Sequence, residues 1–224
     1  MPSAESSRII VLHQTKYSDH SLIIHAIDSG LGRQGFILRG AGRKSGGRII
    51  SEFHSLNVLD VVSSGKPESG LRYLREWESV RPLTNIRSDI LKSSVALFIS
   101  EILYRSLTTG SSDETLFEWL CSAIGKLDSA DGGVANFHLW FLVRYCGRMG
   151  FRPSVIPEPG DIFTPEEAAL LRAIVSRPFE EVMSLPLNGS VRRSFSRKMV
   201  KYLSYHLGVT LNIRSLDVLH ELFA

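Results

Sequence analysis

The apolar residues of this chain change their spacing near Arg87, and that change limits the fold more than any other feature of the sequence. Before it, apolar residues gather in short β-rich runs separated by turn signals. After it they recur three and four residues apart, as on one face of a helix. The early runs are Arg8–His13, closed by the polar turn Lys16–Asp19, then His20–Asp28, Gly35–Arg39 and Ser55–Val62. Leu71–Trp77 reads equally as a fifth strand or a short helix.

Five short strands within about eighty residues predict a small closed barrel, and an OB-fold closes its edges with that number. The helical part begins with Ile90, Leu91, Val95, Phe98, Ile99, Ile102, Leu103 and Leu107. Ser111 with Glu114 predicts a capping box for a second helix. Val134–Met149 is apolar nearly all round, as in a helix at the centre of a bundle. Ser154–Phe163 reads as an irregular connection. Thr164, Pro165 and Glu167 then open another helix, residues 191–207 form a long amphipathic one, and Ser215–Phe223 a last short one. The expectation is an α+β chain: an N-terminal five-stranded OB-fold β-barrel at 1–80, then an all-helical domain at 81–224.

With 43% hydrophobic and 22% charged residues the chain has an ordinary globular composition, and its net charge is only +3. Any affinity for polyanions must therefore come from local clustering. Gly30–Ser51 supplies it: Arg33, Arg39, Arg43, Lys44 and Arg48 occur there without a single Asp or Glu, among seven glycines. Glycine lets a backbone approach closely, and each guanidinium can fork onto a phosphate oxygen. Residues 81–160, by contrast, hold eight basic and eight acidic side chains, which cancel. A second basic ladder, Arg193, Arg197 and Lys201, lies along the 191–207 helix and reads first as a solvated face, second as a nucleic-acid contact. Phe36, Tyr17 and Trp77 could stack bases, but so small a barrel needs aromatics inside, and core is expected for each.

Catalysis has no candidate constellation. None of the seven histidines sits in a nucleophile elbow or metal-protease spacing, and no phosphate-binding loop motif is present. His138 and His206 read as core or boundary residues. Cys121 and Cys146 form neither a paired thiolate site nor a disulfide framework. No segment approaches bilayer-spanning length, so a cytoplasmic chain without a membrane partner is expected.

The order and spacing of several segments resemble the RecO family of bacterial recombination mediators. They are Ile10–Asp19 with Ile23-Ile24, Gly35–Gly40 with its basic turn, and Leu71, Leu74, Arg75 and Glu76. Gly150–Pro153, Lys201–Leu207, and Arg214, Ser215, Leu216, Val218 and Leu219 complete the set. The resemblance implies a barrel that binds single- and double-stranded DNA and promotes strand annealing. It also implies loading of the RecA recombinase, with the partner RecR, onto DNA coated by single-stranded-DNA-binding protein, and hence association with the nucleoid. The family's basic residue after the third strand falls on Arg39 and its basic turn on Arg43 and Lys44, while Arg33 and Arg48 are added from charge alone. Docking of the acidic tail of single-stranded-DNA-binding protein would fall to the helical domain, where Trp140 offers an apolar anchor and Arg144 and Arg148 a cationic pair. Many members carry four zinc-binding cysteines after the Gly-aromatic-x-Pro motif; here that stretch has none, so no zinc and no other cofactor is expected. The competing reading is a non-catalytic adaptor whose basic turn is incidental.

Overall fold

The computed structural model describes residues 4–40, 50–65, 71–110, 112–152 and 163–223. It begins with β1 (Ala4–Ser18), β2 (Ser21–Asp28), β3 (Gly32–Arg39), β4 (Val58–Ser64) and β5 (Leu71–Ser79). These close into a barrel in the order β1-β2-β3-β5-β4. Every pairing is antiparallel except β3 with β5, which is parallel. This is the OB-fold. β1 serves two neighbours: its N-terminal part pairs with β4 up to Ile10↔Val58, and its C-terminal part pairs with β2 from Ile9↔Asp28 onward. A register shift between Val11 and His13 bends the strand between the two duties.

The alternation that folds the barrel is visible in its core. Ile9 and Val11, Ile24 and Ala26, Phe36 and Leu38, and Leu59 and Val61 all point inward, with Phe53 and Leu74 filling the remainder. Two expectations about the strands need correction. Lys16–Ser18 belongs to β1 rather than to a turn, because Lys16↔Leu22 and Ser18↔Ser21 pair across the hairpin and only Asp19-His20 turns. The fourth strand starts at Val58, not Ser55, after Leu56 takes a left-handed φ of 64°. Leu71–Trp77, open between strand and helix, is strand.

The helices are α1 (Thr84–Ser88), α2 (Ile90–Ser106), α3 (Glu114–Ser129), α4 (Val134–Arg148), α5 (Pro165–Ser176), α6 (Phe179–Met183), α7 (Gly189–Leu207) and α8 (Ser215–Leu222). Ser111, expected to cap α3, lies outside the described residues, and Asp113 performs that role by accepting from Leu116 N at 2.9 Å. The chain forms two compact units, Met1–Thr84 with Ser100–Gly125, and Asn85–Ile99 with Lys126–Ala224. In the first, the Arg81 guanidinium donates to Cys121 O at 3.1 Å and lies close over Gly125, where a β-carbon would displace it.

In the second unit α4 is buried nearly all round, from Val134 to Cys146. Asn136 on α4 donates through Nδ2 to the carbonyls of Met183 (3.1 Å) and Leu185 (2.9 Å), fastening the chain as it leaves α6. The capping box at Thr164 and Glu167 forms as the sequence spacing predicts. Among the described residues no helix is long and apolar enough to cross a membrane.

Candidate nucleic-acid interface

Because Leu22, Ile24, Phe36, Leu38 and Leu74 point inward, their neighbours Ile23, His25, Ile37, Arg39 and Tyr73 lie on the outer face of β2, β3 and β5. Strand pairing aligns Ile23 with Ile37 and Ile37 with Tyr73 across the three strands, and Ile37 at the middle of the row is buried. At one end of it the Arg39 guanidinium sits over the Tyr73 ring, 4.7 Å from the centroid. Arg39 is exposed and Tyr73 is 38% exposed. The same end carries the β1–β2 turn, tied to it by Gly40 N donating to His20 O at 2.8 Å. Tyr17, 60% exposed, and the Lys16–Asp19 ion pair project from that hairpin. An arginine over a partly exposed tyrosine suits a strand of alternating phosphates and planar bases.

Tyr17 corrects the expectation that all three barrel aromatics are core. Phe36 is fully buried, and Trp77 packs on Phe53 with 5.3 Å between centroids while donating to Glu52. Tyr17 stays outside because β1 continues past the residues that fill the barrel. Arg33 is not presented in the way Arg39 is. Its guanidinium lies 5.2 Å from the Tyr104 centroid and donates to Tyr104 O at 3.3 Å. Arg43, Lys44 and Arg48 lie outside the described residues.

Sequence reasoning passed over Tyr73, His13, His25 and Tyr104. Tyr73 could have been found, since reading Leu71–Trp77 as a strand puts it outward opposite Leu74. The other three come together only in three dimensions. His13 and His25 stack with centroids 6.0 Å apart, and Tyr104 of α2 lies against both, at 5.6 and 5.2 Å. Burial holds the His25 pKa below its ordinary value, and His13 and Arg33 push it the same way.

The helical candidates have different surroundings. Trp140 is 5% exposed and packs edge-on against Phe179 at 4.9 Å, so its ring fills the core. Arg144 is half-buried and reaches Arg177 O at 3.5 Å, while Arg148 is exposed. Arg193 donates to His220 O at 3.2 Å, Arg197 meets Asp217 at 3.4 Å, and Lys201 is exposed. Ser196 Oγ and His220 Nε2 stand 2.9 Å apart, a distance suited to a nucleophile and its base. Both are buried, Ser196 completely, so the pair is packing. His138 is buried between Phe98 and Phe223, and burial drives its pKa down to about 3. Among the described residues no group of three or more His, Cys, Asp or Glu is arranged to hold a metal ion. The cysteine-free stretch at 153–162 lies outside them.

Residues 1–83 match the family described as Recombination protein O N terminal, and residues 87–158 match Recombination protein O C terminal. The chain is 30% identical over 240 residues to the DNA repair protein RecO of Porphyromonas gingivalis, covering 97% of this chain and 98% of that one. It is 30% identical over 235 residues to that of Phocaeicola vulgatus, covering 96% and 97% of the two chains. For that of Flavobacterium psychrophilum the figures are 27% over 235 residues, 97% and 98%. With an OB-fold barrel, a helical part and similarity along nearly its whole length, the chain belongs to the RecO family of DNA repair proteins.

Proposed function

We propose that this protein is a non-catalytic recombination mediator that binds single- and double-stranded DNA on the outer face of β2, β3 and β5. In this reading it anneals complementary strands and, with RecR, assists loading of RecA onto DNA coated by single-stranded-DNA-binding protein. The observation that carries the proposal is the exposed Arg39 guanidinium on the partly exposed Tyr73 ring, at the end of the barrel that carries the β1–β2 turn. It offers a cation for phosphate and a flat ring for a base on one surface. Arg43, Lys44 and Arg48 follow Arg39 closely in sequence and extend the phosphate contacts.

A salt titration tests it. Affinity for a single-stranded oligonucleotide falls linearly with the logarithm of salt concentration, by roughly 0.7 per phosphate neutralised. Replacing Arg39, Arg43 and Lys44 together by alanine reduces that slope by about two. Unchanged binding by the folded triple variant overturns the reading.

The helical unit is the proposed dock for the acidic tail of single-stranded-DNA-binding protein, through Arg144 and Arg148 rather than the ring of Trp140, which is packed inside. Reversing both charges with glutamate abolishes binding of a labelled tail peptide and leaves DNA binding intact. Equal peptide affinity in the variant moves the dock elsewhere.

A further inference from the structure

His13, His25 and Arg33 bring three groups that can carry positive charge together on the barrel's outer face. Among the described residues none of them is paired with a carboxylate. His25 shares a 3.1 Å hydrogen bond with Thr15 Oγ1, and its ring stacks on that of His13. The Arg33 guanidinium lies on Tyr104, and its Nε is buried with no hydrogen-bond partner among the described residues. The groups that face His25 are His13 from β1, Arg33 from β3 and Tyr104 from α2. The nearby α2 charges, Glu101 and Arg105, pair with each other at 3.0 Å. Burial, His13 and Arg33 all oppose protonation of His25. Packing of Tyr104 accounts for the stacked rings. It does not account for a guanidinium set beside two imidazoles without an acid.

We propose that His13, His25 and Arg33 form a binding subsite for a backbone phosphate of DNA, which takes up protons as the phosphate binds. The inference rests on the DNA-binding reading above and extends it to two histidines beside Arg33. A phosphodiester stays anionic from pH 6 to 8, while burial, His13 and Arg33 hold the His25 pKa below its ordinary value until an anion is bound beside them. The anion stabilises both imidazolium forms and is attracted by the neighbouring Arg33 guanidinium. By linkage, each proton taken up on binding strengthens affinity by up to about tenfold per unit fall in pH. Charge on His13 opposes protonation of His25, so the gain is spread over the interval.

The test measures binding of a labelled oligothymidylate, whose bases do not titrate here, at pH 8 and pH 6 and constant ionic strength. For the intact protein affinity rises about tenfold or more on going to pH 6; for His13→Gln with His25→Gln it rises less than about threefold. Equal pH dependence in the folded double variant overturns the subsite and leaves the DNA-binding reading standing. Absence of oligothymidylate binding at either pH overturns both. Histidine-ring NMR of the unmodified protein gives a second readout free of any folding defect. The apparent pKa of His25 rises by about one unit when oligothymidylate saturates the protein. An unmoved His25 titration overturns the proposal.

Discussion

Residues 29–51 and 182–216 are both free of Asp and Glu and both rich in arginine and lysine, yet Arg39 of the first and the cations of the second are placed in opposite ways. In the second, four of the five cations on α7 are engaged within their own unit. Arg192 Nη2 donates to Phe223 O at 2.9 Å and Arg193 Nη2 to His220 O at 3.2 Å, satisfying carbonyls at the C-terminal end of α8 that no helical bond can reach. Arg197 meets Asp217, and Lys198 meets Glu167 at the start of α5. Only Lys201 stands exposed without a partner among the described residues. In the first stretch Arg39 is exposed against a tyrosine and, among the described residues, has no acid paired with it. An acid-free basic run therefore has two meanings. Which one applies depends on whether carbonyls and carboxylates from elsewhere in the chain come within reach.

If the helical run serves packing, disturbing it alters unfolding; if the barrel run serves a ligand, disturbing it alters binding. The largest expected effect is on acid stability. His138 and His220 are buried beside the α7 arginines, and burial chiefly holds their pKa values at about 3 and about 4. Both lie below the unfolded value of 6.5, so the unfolded chain takes up protons first as pH falls, and stability is lost between pH 6.5 and about 4. The unfolding free energy should drop by on the order of 3–5 kcal/mol from pH 7 to 4.5, and by roughly half as much in His138→Phe. Urea titrations at the two pH values measure this. A variant that loses as much stability as the parent would refute the assignment.

Next in size is Glu167, which is 4% exposed, completes the capping box, and accepts from Ser194 and from Lys198. Glu167→Ala should lower the unfolding free energy by about 2–3 kcal/mol, through the lost cap and the unpaired Lys198, and leave oligonucleotide affinity unchanged. A loss below about 0.5 kcal/mol would make the contacts incidental. The smallest effects separate the two runs most directly. Arg39→Ala should weaken oligonucleotide binding about five- to tenfold with little change in melting, whereas Lys201→Ala changes binding less than twofold. The opposite ranking, read by fluorescence anisotropy, would give the ladder the DNA and break the comparison.

Both the barrel and the helices were legible because their apolar periods are local. Ile9 and Val11, or Phe36 and Leu38, alternate whatever lies across from them, and Thr164 reaches Glu167 within a single turn. Arg39 stood out for the same kind of reason, as a cation in an acid-free run ending a strand.

Length of pairing, exposure and partnership are set by distant residues, and these escaped the sequence. Lys16 and Tyr17 read as a turn until Leu22 and Ser21 pair across from that segment. Tyr73 becomes a platform for Arg39 only because β5 runs parallel to β3, a contact between residues far apart in the chain. His13, His25, Arg33 and Tyr104 come from four elements. The sequence by itself determined the periods, the caps and where cations gather, because these depend on neighbours within a turn or a strand. Only the tertiary structure decided which cations are engaged inside and which face outward. That choice depends on whether the fold brings an acceptor within hydrogen-bond distance, and the spacing of residues along the chain does not encode it.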